Sequence, residues 1–184
     1  MKKWTLGTML VLSALCLAPA VHATGWGVGG FGGVSIPVVQ EDAERGYVAG
    51  VHVRFSLAGI LGVEPNFTYF RDGDWTFENQ GELLYDGKGS KVSAFGVNAI
   101  LGGAGPVTGF RFFPFVGAKI YNMKKLGLDS ESQIGWNAGL GLEIGFGKIG
   151  IEARAAGELM KMKNKGSRKW AHITGGLNYY FGAL

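Results

Sequence analysis

Two acidic residues stand at equal distance from a glycine-led dipeptide: Glu143 and Glu152 flank Gly147-Lys148. A two-residue hairpin turn with Gly first, as a type II′ turn prefers, opposes Phe146 to Ile149 and sets Glu143 facing Glu152. Two opposed carboxylates are the raw material of general acid/base chemistry. Here the chain also places cations beside them. Centring the segment 122–132 on Gly127 puts Arg111 opposite Glu143, and Arg154 falls diagonal to Glu143 on the other side. The spacing therefore predicts a network of Arg111, Glu143, Glu152 and Arg154. The same reasoning pairs Arg54 with Glu64 around Gly59, and Glu158 with His172 around Lys165.

Carboxylates that face partners, with no cleft between them, argue against catalysis. Glu158 and His172 could join a loop serine in a hydrolase triad, but no nucleophile motif accompanies them. His52 and His172 are far apart in the chain, and no set of residues has metal-ligand spacing. The glycine runs Gly25 to Gly33 and Gly102-Gly103-Ala104-Gly105 lack the following helix and Lys-Ser/Thr of a phosphate loop. The expectation is no enzyme, no catalytic residue, no metal and no cofactor.

The elements that must hold these charges follow from the export signal. Lys2 and Lys3 precede an apolar run from Leu6 to Leu17 and the small-residue site Val21-His22-Ala23, which reads as a cleaved signal peptide, 1–23. Cys16 goes with it. A lipoprotein site would want a small residue where Leu15 stands. The mature chain, 24–184, has 161 residues (184 − 23) and no cysteine, hence neither disulfides nor a thiolate metal site. Without Lys2 and Lys3 the 18 basic residues become 16 against 14 acidic, so the formal charge falls from +4 to +2, giving no reason to expect nucleic acid as partner.

The rest alternates. Eight strands are read at roughly 25–36, 47–57, 61–70, 91–101, 110–121, 133–146, 149–160 and 170–181. Tyr47, Ala49, Val51, Val53, Phe55 and Leu57 share one face against Val48, Gly50, His52, Arg54 and Ser56. Ile134, Trp136, Ala138, Leu140, Leu142, Ile144 and Phe146 do so against a glycine-rich face carrying Glu143. The connections at 58–60, 102–109 and 147–148 are short or glycine-rich; those at 37–46, 71–90, 122–132 and 161–169 are charged and mostly longer.

Alternation does not say whether the apolar face meets lipid or a soluble core. Three features choose lipid. The opposite faces carry Gly and a few charges in place of a dense Lys/Glu covering. Aromatics gather near strand ends at Trp26, Tyr47, Tyr69, Trp136, Trp170, Tyr179 and Phe181, as in interfacial girdles. The last strand ends Ile173, Leu177, Tyr179, Phe181, an aromatic close near the C-terminus. After the signal no apolar run reaches the roughly 18 residues a membrane helix needs, so a span must be a closed sheet. The apolar parity on lipid leaves Arg54, Glu64, Arg111, Lys119, Glu143, Glu152, Arg154 and Glu158 in the lumen, where four positive and four negative charges cancel.

These features resemble the small OmpA/OmpX-like eight-stranded outer-membrane barrels over essentially the whole mature chain. The resemblance implies an all-β, eight-stranded antiparallel transmembrane up-and-down β-barrel in the outer membrane of a Gram-negative-type bacterium. It also implies insertion by the outer-membrane assembly machinery and a role in envelope integrity, adhesion or small-solute passage. No catalytic residue carries over. The lumen charges read as a structural plug in preference to a gate, because a barrel of eight strands is only wide enough for its own side chains.

The outer loops hold the remaining signals. Around Gln80 the longest loop pairs Phe77 with Leu83 and Trp75 with Tyr85, in a register that sets Glu64 opposite Gly96. The hairpin would present Trp75, Phe77, Leu83 and Tyr85 outside the hydrocarbon, for a surface protein partner or for neighbouring loops and lipopolysaccharide sugars. The loop bearing Lys161, Lys163, Lys165, Arg168 and Lys169 has no acid and could meet lipopolysaccharide phosphates. The reading is a structural or surface-interaction barrel; the alternatives are a narrow channel for ions or small solutes and, behind it, a lipid-modifying enzyme.

Overall fold

A computed structural model describes residues 25–38, 44–57, 60–73, 75–79, 82–87, 89–102, 105, 107–124, 131–161 and 166–181; for 75–79, 82–87, 107, 124 and 131 only the backbone is described. The expected signal peptide lies outside these residues. Ten strands follow in chain order: β1 (Trp26–Pro37), β2 (Gly46–Leu57), β3 (Leu61–Arg71), β4 (Trp75–Asn79), β5 (Glu82–Gly87), β6 (Lys91–Leu101), β7 (Val107–Lys124), β8 (Glu131–Gly147), β9 (Ile149–Lys161) and β10 (Ser167–Phe181). Eight of them close a barrel in the order β1-β10-β9-β8-β7-β6-β3-β2, and β4 pairs β5 as a separate hairpin. All pairings are antiparallel, and no described residue is helical.

Closure is made by the first and last strands, Trp26 opposite Phe181 through Pro37 opposite Trp170. The Trp26 and Phe181 rings stack at 4.1 Å, an aromatic weld at the seam. Period-two alternation does the sorting. Along β2, Val48, His52, Arg54 and Ser56 are buried, while Tyr47, Ala49 and Val51 are exposed. Along β7, Arg111, Phe113, Phe115, Lys119 and Tyr121 are buried, while Phe110, Phe112, Val116 and Ile120 are exposed. A closed barrel whose outer wall is this apolar is a membrane surface, since water would leave the whole belt exposed.

Strands β7 and β8 run 18 and 17 residues, well past the 9–11 or so that cross a bilayer. They also run past the sequence-derived limits 110–121 and 133–146. The added exterior positions, Thr108, Asn122 and Ser132, are polar: ladder hydrogen bonds continue where lipid no longer demands apolar side chains. At the turn end, Gly147 takes φ 66° and Phe146 opposes Ile149, so the tight turn expected from Gly147-Lys148 is present.

The register of β3 with β6 departs from expectation by two residues: Glu64 faces Asn98, not Gly96. Parity is preserved, so the lumen face is unchanged. The cause lies in the hairpin above it. Asn79 opposes Glu82 and Glu78 opposes Leu83, then a bulge between Phe77 and Glu78 brings Phe77 opposite Tyr85 and Trp75 opposite Gly87. The expected Phe77–Leu83 and Trp75–Tyr85 pairs are therefore corrected: the Asn79–Glu82 pairing already moves the register by one from a count around Gln80, and the bulge moves it by one more. Below the bulge β4 and β5 keep the register of β3 and β6, and the Asp72 amide donates to the Ser90 carbonyl at 3.0 Å between them.

Adjacent glycines of β1 give a direct test of the inside/outside assignment. A Cβ on Gly33 would collide with the Ile173 carbonyl and the Thr174 Cα of β10, at the closing seam, whereas one on Gly32 would come no nearer than 3.8 Å to the Val48 carbonyl. Gly33→Ala should lower the unfolding midpoint of the refolded barrel or prevent its compact, heat-modifiable gel band; Gly32→Ala should not. Equal effects would contradict the assignment.

Candidate functional site: the charged lumen and its outer cap

The charges read as lumenal from sequence are all buried: Arg54, Glu64, Arg111, Lys119, Glu143, Glu152, Arg154 and Glu158. Register places Glu143 opposite Glu152 and Arg111 opposite Glu143. Arg54 is the hub between them. Its Nε donates to Glu64 Oε2 at 2.7 Å, its Nη1 to Glu143 Oε2 at 2.8 Å, and its Nη2 to Glu152 Oε2. Arg111 Nη2 reaches Glu143 Oε2 at 2.7 Å. Arg154 does not touch Glu143; it forks onto Glu64 at 2.8 and 2.6 Å and lies 3.0 Å from Glu152 Oε1. Three guanidinium groups thus meet three carboxylates, with no net charge.

Neutral groups complete the network. The Tyr180 hydroxyl donates to Glu143 Oε1 at 2.8 Å and accepts from Arg54 and Arg111 at 2.9 and 2.8 Å. Asn98 donates to Glu64 at 2.9 Å and Asn178 to Glu152 at 3.1 Å. The Phe113 ring lies 5.1 Å from the Arg54 guanidinium carbon and 5.6 Å from those of Arg111 and Arg154, so one aromatic face region serves all three cations. Phe113, Asn98 and Tyr180 were not singled out from sequence. The available signal was parity: each occupies the lumen register of its strand.

A second pair sits above. Lys119 bridges Glu158, and the Tyr121 hydroxyl donates to Glu158 Oε2 at 2.6 Å. His172 was expected directly opposite Glu158. The register instead sets Trp170 there and His172 opposite Ala156, two residues from the expected pairing. His172 still brings Nδ1 to 3.5 Å from Glu158 Oε1 along the diagonal.

Ser35 faces His172 across β1 and β10, so serine, imidazole and carboxylate do come together, from a strand and not from a loop. The grouping lacks the properties of a nucleophilic site. Ser35 has no exposed surface, its hydroxyl has no hydrogen-bond partner, and the Phe70 ring packs on the imidazole at 4.9 Å.

Between the two charge clusters, a lumenal cavity lined by Asn66, Asn98, Lys119, Asn137 and Glu158 measures about 30 Å³, room for a water molecule or two. Towards the long loops the lumen closes on an apolar cluster of Val48, Phe70, Val92, Ala94, Tyr121, Met123, Met160 and Trp170. The Trp170 indole N–H reaches beyond it, donating to Asp72 Oδ1 at 2.8 Å. Arg168 turns to the same carboxylate at 3.9 Å and donates to Ser90 at 3.3 Å. This clasp ties the start of β10 to the root of the β4/β5 hairpin. Burial pushes the Asp72 carboxyl above its usual range, and Trp170, Arg168 and His172 pull it only part of the way back.

Of the other residues selected from sequence, Trp75 and Phe77 lie in β4 and Leu83 and Tyr85 in β5. Lys161 and Lys169 are exposed, Arg168 is half-buried in the clasp, and Lys163 and Lys165 lie outside the described residues. Among the described residues no His, Cys, Asp and Glu cluster could hold a metal ion.

No protein-family model matches the sequence, and no curated protein does. Among solved structures, the chain is similar to Neisserial surface protein A (NspA) at 14% identity and a TM-score of 0.62, over 85% of this chain and 97% of that one. It is also similar to the N-terminal β-barrel domain of Pseudomonas aeruginosa OprF at 16% identity and a TM-score of 0.52, over 86% and 98%. At such identities the likeness is one of fold: the closed eight-stranded barrel of outer-membrane proteins.

Two measurements probe the site. Arg54→Met removes the cation shared by Glu64, Glu143 and Glu152 and should cost on the order of 3–5 kcal/mol in denaturant unfolding. Adding Glu152→Gln should return part of that loss; strictly additive losses would disprove the hub. At the clasp, a carboxyl whose folded pKa is raised stabilises the fold only below its unfolded pKa, and that contribution is lost as pH rises through the folded value. Asp72→Asn keeps an acceptor for Trp170, so it should raise the unfolding midpoint at pH 7. The gain should fade below about pH 4, where the native carboxyl is protonated too.

Proposed function

We propose that this chain, which has the fold of the OmpA/OmpX-like eight-stranded outer-membrane barrels, is a non-conducting surface-interaction protein of the bacterial outer membrane. Its barrel serves as an anchor and its long-loop end as the working surface. The observation that carries this reading is the closed lumen. A conducting path would have to pass the Arg54 hub and then the Phe70/Trp170 cap, and the cavity between them holds only a water or two.

Among the described residues the rim carries one element outside the barrel sheet, the β4/β5 hairpin. It continues the register of β3 and β6, and the Asp72–Trp170 clasp fixes its root, so its strands are held in place by the barrel. Of Trp75, Phe77, Leu83 and Tyr85, the Trp and Tyr are residue types that anchor protein interfaces at little conformational cost. Lys161 and Lys169, exposed at the opposite side of the rim, fit contact with lipopolysaccharide phosphates. Export through a cleaved signal, 1–23, and insertion by the assembly machinery belong to the same reading.

Surface binding is the test. Cells displaying the barrel are scored for attachment to host cells or to one another, beside cells displaying a version with residues 75–87 replaced by a short glycine-serine turn. The hairpin-less barrel should keep its heat-modifiable band and lose attachment. Attachment undiminished by the deletion would reject the hairpin as the working surface.

A further inference from the structure

Pro65 interrupts the barrel wall from within. The β2–β3 ladder runs from Tyr47 opposite Arg71 to Leu57 opposite Leu61 and lapses at two adjacent positions, Val53/Pro65 and Arg54/Glu64. One missing bond explains both. The Ser56 amide donates to the Gly25 carbonyl at 3.0 Å, on the β1 side, so the odd-numbered residues of β2, Val53 among them, turn their backbone groups to β3. Pro65, opposite Val53, has no N–H to give. The ladder of β3 with β6 is unbroken through Pro65 and Val97, and among the described residues nothing else donates to the Val53 carbonyl. The other described prolines interrupt nothing: Pro37 ends β1, and the β6–β7 pairing stops at Ile100 and Phe115, just short of Pro114.

This gap lies in the middle of the span. On the outer face of β3, Pro65 stands midway between Leu61 near the turn end and Tyr69 near the rim, roughly 14 Å of strand from each. Water does not reach backbone groups at that depth, and an unpaired carbonyl in lipid costs free energy. The outer wall is also hollowed here. A groove of about 770 Å³ crosses six strands obliquely, from Phe95 of β6 past Phe67, Val51 and Val28 to Tyr179 of β10 and Ile149 of β9. Val53 and Pro65 line it, and so do His52 and Asn66, which are buried towards the lumen, so its floor is strand backbone. Gly30 makes the hollow: it opposes Val51 and Leu177 on the outer face and carries no side chain.

We propose that this groove binds a long-chain fatty acid with a hydroxyl near the middle of its chain, drawn laterally from the membrane. The alkyl chain fills the apolar groove, and the hydroxyl donates to the Val53 carbonyl the bond that Pro65 cannot make. The depth of the acceptor sets where on the chain the hydroxyl must be. Phe95 opposes Phe67, Phe67 opposes Val51, and Val53 is the next outer residue of β2. At about 4.8 Å per strand and about 3.4 Å per residue, the carbonyl lies roughly 12 Å from Phe95. Ser93, the next outer residue of β6 towards the rim, marks where hydrocarbon gives way to polar surface, and the carboxylate stays at that level. A hydroxyl beside the carboxylate falls short of Val53; one at mid-chain reaches it. A plain acyl chain fills the same groove and leaves the carbonyl unpaired, so the hydroxyl is what the site selects.

The test uses the mature chain in phosphatidylcholine nanodiscs, with the Val53 carbonyl carbon followed by NMR. It is titrated with stearate, with hydroxystearate bearing its hydroxyl at mid-chain, and with the isomer bearing it beside the carboxylate. The mid-chain isomer should bind about tenfold more tightly than the other two, the worth of one hydrogen bond to a buried acceptor, and it alone should shift the Val53 carbonyl. Pro65→Val supplies the missing N–H, so it should raise the unfolding midpoint of the free barrel and bind all three probes alike. Gly30→Leu fills the hollow and should weaken all three; a Cβ there comes no nearer than 3.7 Å to the Gly50 carbonyl, so the barrel accommodates it. Equal binding of the three probes by wild type, or a mid-chain preference that survives Pro65→Val, would overturn the proposal. Binding undiminished by Gly30→Leu would place the chain elsewhere and overturn it too, as would magnetisation transfer from water to the Val53 carbonyl in the free barrel. The comparison of isomers needs only the wild type, so it decides the question whether or not Pro65→Val refolds.

Discussion

The barrel's interior is too narrow for water to solvate the charges that the strands project into it, and this constraint shapes everything else. Eight strands leave room for side chains and little more. Arg54, Arg111 and Arg154 must then find their counter-charges among Glu64, Glu143 and Glu152 within hydrogen-bond reach, and they do so with no net charge left over. The large number of glycines on lumenal positions follows from the same confinement. Gly141 and Gly150 face Phe113 and Glu143 at distances a side chain would occupy, so the charged and aromatic groups fit because their neighbours have no Cβ.

Such an interior holds the shape and leaves the chemistry to the ends. Removing a guanidinium from the network strands buried carboxylates. The Asp72 clasp marks the boundary: a carboxylate buried at a cost, held because it joins the last barrel strand to the hairpin root through Trp170. The exterior obeys a parallel rule along its length, apolar through Phe67, Phe95 and Ile120, polar at the next rung, cationic at the one beyond.

Much of this was legible in the sequence because period-two alternation and tight turns are local. The faces of β2 and β8 could be read directly, and a Gly-led two-residue turn was enough to place Glu143 opposite Glu152. Strand ends were read short where the exterior turns polar, as at Asn122 and Ser132, because the apolar signal stops at the hydrocarbon edge while the ladder does not. Register across the longest loop missed by two, one from the pairing of Asn79 with Glu82 and one from a bulge at Phe77/Glu78, neither of which has a sequence mark. Across the loop carrying Lys165 it missed His172 by two for want of a turn motif. The Arg54 hub was beyond local reasoning: Arg54 and Glu143 lie on strands that are not neighbours, and their contact exists only after closure.

The account's central claim is that the lumen is shut by its own side chains. Ion conductance of the purified, refolded chain in planar bilayers tests it most directly. The closed network and cap predict no discrete channel openings in the native protein or after deletion of the 75–87 hairpin, since the described members of the hub and of the Phe70/Trp170 cluster all lie outside that segment. Reproducible unitary currents from the intact barrel would contradict it and make the charged lumen a pathway instead of a plug.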